Sequence, residues 1–266
     1  MKKLKFPLWL ALFLMVMGCK ETKKEHLPST ASTTEKAAEE EWIVLFDGSS
    51  TDGWRAYNGE GLPPGWTIED STLTFNTALG LEQEYTGGTD IIYGDREFGN
   101  FELYVEWKLP KGGNSGIFYH LKEGYNGPPE VAPEYQLIDD ENYADMHDLT
   151  EYNLSLGYTE KPEELKPLQQ TASDYAMHPA DASKKILHPV GEWNSSKIVF
   201  TPEQVEHWLN GQKVLSFKPW TDEWYEKKNS DKWKNSPDYG KYKTGYIGFQ
   251  DHSSPIWFRN IKIKEL

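Results

Sequence analysis

Phe101-Glu102-Leu103-Tyr104-Val105-Glu106-Trp107-Lys108-Leu109 alternates apolar and polar residues over nine positions. A period of two is the mark of a strand with one face in a core, and it is clearest here. Outward from it the same grammar repeats. Lys111–Ser115 reads as a turn, and Gly116–Leu121 as the strand that follows. Upstream lie Trp42–Phe46, then Trp66–Ile68 and Ser71–Phe75 around a tight turn at Glu69-Asp70, then Ile91–Tyr93. Downstream, Ser196–Phe200, Val205–Leu209 and Val214–Phe217 form a meander, with Asn210-Gly211 as a two-residue hairpin turn. Thr244–Phe249 and Ile256–Ile263 follow. Many short strands, Gly and Pro turns and almost no long helix predict an all-β sandwich of two antiparallel sheets. Residues 42–266 fit one such domain.

Two insertions break the rhythm, residues 139–190 and 219–243. Loops this long in a compact domain are usually functional or mobile. Pro219-Trp220-Thr221-Asp222-Glu223-Trp224 has a proline start and early acids, the signature of a short helix.

The N-terminus has another character. Lys2, Lys3 and Lys5 precede an apolar run from Phe6 to Gly18, and Val16-Met17-Gly18-Cys19 resembles a bacterial lipobox. Residues 1–18 read as a signal peptide, with Cys19 the lipidated residue of the mature chain. A short membrane anchor and an ordinary cleaved signal are the alternatives, although the run is shorter than the roughly 20 residues a span needs. Cys19 is the single Cys, so the domain forms no disulfide. Residues 19–41, dominated by Lys, Glu, Ser, Thr and Ala, read as a flexible tether. This predicts a lipid-anchored envelope protein, with Lys20 and Glu21 pointing to the outer membrane.

The formal charge is −14, with 42 acidic and 28 basic residues. An acidic chain with no basic run in its body is a poor partner for a phosphate backbone, so nucleic-acid binding is excluded. GxSxG, HExxH, P-loop and EF-hand patterns are all missing from the sequence. No nucleotide cofactor is expected.

Four polar segments remain. Gly112-Gly113-Asn114-Ser115-Gly116 is either a positive-φ turn or a place where backbone approaches a ligand. In Glu134-Tyr135-Gln136-Leu137-Ile138-Asp139-Asp140, a regular strand puts Glu134, Gln136 and Ile138 on one face and Tyr135, Leu137 and Asp139 on the other. The polar face is either solvated or part of a concave site. Glu206–Gly211 contains His207, and a lone histidine is more often structural. Gly248-Phe249-Gln250-Asp251-His252 sets His252 beside Asp251, and a carboxylate can fix an imidazole for base or metal duty. Trp220, Trp224 and the other aromatics of 219–243 either fill a core or stack on a sugar ring.

Together these segments resemble the 3-keto-disaccharide hydrolase domain family, formerly DUF1080. The matching pieces run in order from Leu45-Phe46-Asp47-Gly48 and Asp52-Gly53-Trp54, through Phe98-Gly99-Asn100-Phe101 and Gly113-Asn114-Ser115-Gly116-Ile117-Phe118. They continue with Glu134–Asp139, Gly191-Glu192-Trp193-Asn194, His207–Gly211, Gly248–His252 and Phe258-Arg259-Asn260-Ile261. The resemblance implies a concanavalin A-like jelly roll. It also implies an enzyme that cleaves glycosides already oxidised at C3, and hence a 3-dehydrogenase upstream. His120 departs from the arginine that relatives carry, which either tunes substrate contact or adds a ligand.

A C3 ketone acidifies the C2 hydrogen. Removing that proton and expelling the C1 substituent gives an unsaturated keto sugar, and adding water completes a net hydrolysis. Such a site needs a base near C2, an electrophile near the C3 oxygen and an acid at the leaving group. Residue type and strand position make Glu134, His252 and Asp139 the catalytic candidates. Asn114, Gln136, His120, His207, Gln250, Trp220 and Trp224 are candidates for substrate binding. Glu134 and His252 are also the candidate ligands if a divalent metal supplies the electrophile. A non-catalytic sugar-binding module is the alternative, and it would show no titratable groups sharing one pocket.

Overall fold

The computed structural model describes residues 41–266. The expected signal peptide at 1–18, the expected tether up to residue 40 and Cys19 lie outside the described residues. Among the described residues, no helix is long and apolar enough to cross a membrane.

The strands are β1 (Ile43–Phe46), β2 (Trp54–Ala56), β3 (Trp66–Glu69), β4 (Thr72–Phe75), β5 (Ile91–Phe98), β6 (Phe101–Lys108) and β7 (Asn114–Leu121). After them come β8 (Glu134–Ile138), β9 (Asn194–Phe200), β10 (Val205–Leu209), β11 (Gln212–Phe217), β12 (Gly245–Phe249) and β13 (Ile256–Glu265). They form an eight-stranded sheet in the order β11-β10-β9-β6-β13-β4-β3, with β1 also on β13, and a five-stranded sheet in the order β2-β5-β12-β7-β8. All pairings are antiparallel, giving the all-β jelly-roll sandwich expected. The alternation in β6 is realised directly, with Phe101, Leu103, Val105 and Trp107 buried between the sheets and their neighbours half-exposed. Asn210 and Gly211 both take positive φ, 46° and 79°, as the hairpin turn requires.

Ile117, Tyr119, Tyr135, Leu137, Ile247 and Phe249 of the smaller sheet join the same core. Phe249 stacks on Phe258 of the larger sheet with ring centroids 3.9 Å apart, and on Trp54 at 4.9 Å. The opposite, outer face of the smaller sheet is therefore left for other residues. One part of it carries Tyr57, Ile92, Phe118, Leu121, Val131 and Ala132. The other carries polar groups.

The insertions are ordered by short elements. In residues 139–190, α-helices span Tyr143–Met146 and Thr150–Ser155. In residues 219–243, the helix begins at Asp222 and ends at Ser230, with the Thr221 side chain accepting the Trp224 backbone N–H as its N-cap.

Candidate active site

Strand register assembles the site. Asn114 pairs with Ile138, Gly116 with Gln136, and Phe118 with Glu134. Paired residues share a face, so Asn114, Glu134, Gln136 and Ile138 all look outward from the sheet. Gln250 and His252 join them from the chain after β12. The 139–190 insertion arches over this floor with Tyr143, His147, Leu149, Tyr152 and Tyr175, and Lys232 closes one side. These side chains line a cleft of about 420 Å³. A neighbouring hollow, bounded by Gly88, Gly112, Asp251 and Ser254, shares Asn114, Tyr143, His147 and His252 with it.

Glu134 is 3% exposed, and its Oε1 is buried with no hydrogen-bond partner. Desolvation pushes its pKa up to about 8; Lys232 opposes the rise, while Asp90 and Asp174 add to it. His252 lies at the rim, and loss of solvation pushes its pKa below the ordinary histidine value, with His147 adding to the fall. At neutral pH the cleft thus holds a protonated carboxyl and a neutral imidazole, two groups driven apart in the sense that separates an acid from a base.

The walls are polar aromatics. His147 stacks on Tyr143 at 4.3 Å, and the Asn114 amide donates to the Tyr143 hydroxyl at 3.4 Å, leaving Asn114 Oδ1 buried and unpartnered. The Tyr152 and Tyr175 hydroxyls are 2.6 Å apart. Lys232 Nζ donates to the Tyr152 hydroxyl at 2.7 Å and lies 4.2 Å from the Tyr175 ring centre.

Of the residues singled out from sequence, Glu134, His252, Asn114, Gln136 and Gln250 come together in this cleft. Five others do not. Asp139 is on the opposite face, and its carboxylate is taken up by the turn: Oδ2 accepts the Gly112 N–H, and Oδ1 accepts the N–H groups of Glu141 and Asn142 and the Asn142 amide. It borders a separate small pocket with Trp107 and His188. His120 has φ 52°, and its strand gains a residue against β12 there. That bulge turns the ring inward, 4.2 Å from Phe200, where Nε2–H donates to Gly99 O and burial pushes its pKa down to about 4. His207 is fully buried beside Tyr135, donates from Nδ1 to Ala172 O, and is likewise pushed down to about 4. Trp224 packs in a core cluster with Trp233 and Tyr239, and Trp220 donates to Gly240 O against it. Both tryptophans are therefore committed to packing, away from the cleft.

Sequence reasoning missed Tyr143, His147, Tyr152, Tyr175 and Lys232, which sit in insertions that carry no periodic signal. Among the described residues no three His, Cys, Asp or Glu side chains converge as a metal-binding group. Glu134 and His252 are only two donors, fewer than the three protein ligands of a typical catalytic metal site.

The two-sheet β-sandwich thus brings a buried acid, an imidazole and hydroxyl-bearing aromatics into one outer-face cleft. Residues 41–264 match the 3-keto-alpha-glucoside-1,2-lyase-like domain, and the chain belongs to that family. It is 36% identical over 245 residues to a 3-keto-disaccharide hydrolase of Bacteroides thetaiotaomicron, covering 85% of this chain and 78% of the relative. Among solved structures it resembles a protein of Parabacteroides distasonis ATCC 8503 provisionally assigned as a glycosyl hydrolase, with TM-score 0.71, 38% identity and coverage of 85% and 94% of the two chains. A second protein of that organism, with the same provisional assignment, aligns at TM-score 0.59 and 25% identity over 85% of this chain and all of the other.

Proposed function

We propose that the chain is a glycoside-cleaving enzyme acting on 3-keto-glycosides by elimination across C1 and C2. The observation that carries this reading is the pairing of Glu134 and His252 in one cleft with their pKa values displaced in opposite directions. A sugar-binding module has no use for such a pair. The relative's name and the family's description support the same substrate class.

In this reading the neutral His252 imidazole takes the C2 proton. The electron pair left on C2 forms the C1–C2 double bond as the C1–O bond breaks, and charge collects transiently on the C3 oxygen. The Lys232 ammonium supplies the field that stabilises that oxyanion. The Glu134 carboxyl gives its proton to the departing glycosidic oxygen. Water then adds to the unsaturated sugar to complete hydrolysis, or the product leaves as the keto-glycal. No step is routed through a metal, because the cleft residues do not assemble a metal donor set. The substrate's C3 ketone calls for an oxidising enzyme acting earlier on the same sugar. The lipobox ending at Cys19 supports placing the enzyme on the cell envelope, held by lipid, with the outer membrane favoured by Lys20 and Glu21.

The test is aglycone release from 3-keto-glucosides of both anomers, with and without chelator, and with the product followed by NMR. Wild type should release aglycone in both conditions. Glu134→Gln and His252→Ala should lose about 10²- to 10⁴-fold. Full activity of both variants would overturn the assignment, and loss with chelator would restore a metal role. Intact mass of the membrane-extracted protein, showing loss of residues 1–18 plus acyl mass, tests the anchor.

A further inference from the structure

His252 sits on a loop that is tied down through its two neighbours in sequence. Asp251 is 4% exposed, and its backbone N–H donates to Asp90 Oδ1 at 2.8 Å. Its Oδ2 accepts the Tyr85 hydroxyl at 2.8 Å and the Trp66 indole N–H at 3.4 Å. Its Oδ1 accepts the Ser253 N–H at 2.9 Å. The Tyr85 hydroxyl in turn accepts the Thr89 N–H at 2.8 Å, which fixes its direction. These bonds go to the 85–90 segment, to Trp66 and to Ser253, and not to the imidazole. The adjacent carboxylate therefore orients the backbone of the loop and leaves the ring to the cleft.

The sheet makes this arrangement obligatory. Ile91 pairs with Phe249, so the residue before β5 and the residues after β12 emerge side by side. The two segments are also packed without slack. Gly87 has φ 98°, and a Cβ there would lie 2.7 Å from Ser253 Cα and 2.8 Å from Asp251 Oδ1. Asp90 thus carries the hydrogen bond that ties down the Asp251 N–H, in a segment closely fitted to the loop.

We propose that Asp90, acting through the Asp251 N–H, is the positioning residue that holds His252 at the mouth of the cleft. What it contributes is a hydrogen-bond acceptor at a fixed place, rather than a charge or a proton. The catalytic half of the proposal rests on the reading of His252 as the base, while the positional half does not. A misplacement of about 1 Å at a reacting group can cost 10²-fold in rate.

The conservative variant separates this role from a catalytic one. Asp90→Asn keeps an oxygen to accept the Asp251 N–H; Asp90→Ala does not. Asp90→Ala should lower kcat by about 10- to 100-fold with KM within about twofold, and Asp90→Asn should retain most of kcat. Independently of activity, NMR titration of the His252 ring should show its depressed pKa returning toward the free value in Asp90→Ala and unchanged in Asp90→Asn. Equal damage from both substitutions would overturn the proposal, because the charge would then be what matters. Wild-type kcat and titration in Asp90→Ala would also overturn it, while leaving His252 as base untouched. If His252→Ala is fully active, the base reading fails and the titration still decides the positional claim. Should Asp90→Ala not fold, Asp90→Leu carries the test, since it fills much of the same space without an acceptor for the Asp251 N–H. It should move the His252 titration in the same direction, and no movement would end the proposal.

Discussion

Gly116 lies directly beneath the Glu134 carboxyl: a Cβ on the glycine would overlap Glu134 Oε1 and crowd Cγ and Cδ. The pairing of Gly116 with Gln136 and of Phe118 with Glu134 makes the two residues diagonal neighbours on the outer face. The missing side chain lets the carboxyl lie flat against the sheet, away from water. That burial is the leading cause of its raised pKa. The glycine of the Asn114-Ser115-Gly116 segment therefore serves the acid on the next strand.

Gly116→Ala should leave the sandwich folded and displace Glu134 toward the open cleft. We expect at least a tenfold loss in kcat/KM. The fall of activity at alkaline pH should move to lower pH, because a better-solvated carboxyl ionises more readily. A pH–rate profile of the folded variant identical to wild type would show that the carboxyl does not depend on that space.

The same burial couples stability to pH. Glu134 and Asp90 are raised by desolvation to about 8 and about 7, so the folded state holds their protons where the unfolded chain has released them. Stability from these groups is lost as pH rises from the ordinary carboxylate range through 7 and 8. His120 and His207 act in the opposite sense below 6.5, because their folded values are near 4 and the unfolded chain takes up protons first. Below about pH 6.5 the two effects oppose each other, His252 adding to the histidine side, and only the carboxyl decline remains above it. Melting temperature should fall from pH 6.5 to 8, and fall less steeply in Glu134→Gln. Parallel curves for the two proteins would refute this.

How far the sequence revealed all this depended on where periodicity reached. The strand β6 and the division of Glu134, Gln136 and Ile138 from Tyr135 and Leu137 follow from a period of two, and both are realised. That period could not show that a bulge turns His120 inward, because a single extra residue reverses the facing of those beyond it. Nor could it show that Asp139 would be consumed by the Gly112 and Asn142 donors, which depends on how a turn closes. Tyr152, Tyr175 and Lys232 were hidden for another reason. They meet only because two insertions, distant in sequence, fold over the same sheet face. Trp224 shows the converse: a ring that the sequence offers equally for a core or for sugar stacking is buried in a core cluster.

Trp224 supports the fold rather than the ligand. Its ring packs against Gly240, where a Cβ would lie 2.6 Å from Cη2, and stacks with Tyr239 at 6.4 Å. Trp224→Ala should therefore destabilise the protein by about 3–5 kcal/mol, the usual cost of deleting a buried tryptophan. At a temperature where the variant is folded, KM for substrate should stay within about twofold of wild type. A selective rise in KM with an unchanged melting temperature would return the ring to the sugar-stacking role.

Lys232 should govern both the rate and the pH range of the reaction. Its ammonium lowers the Glu134 pKa against burial and two carboxylates. Lys232→Met keeps an apolar stem to pack on the Tyr175 ring while removing the charge. Without the cation the Glu134 pKa should rise further, so the alkaline fall in activity should shift to higher pH. The oxyanion proposed at C3 would also lose the field of the Lys232 ammonium, and removing one such stabilising group typically costs about 10²–10³ in kcat. The expected signature is thus a large drop in kcat together with an upward-shifted alkaline limb. A drop in kcat with an unmoved limb would mean that Lys232 acts on the substrate alone. An upward-shifted limb with kcat preserved would place it with Glu134 only, and the oxyanion role would have to be given to another group in the cleft.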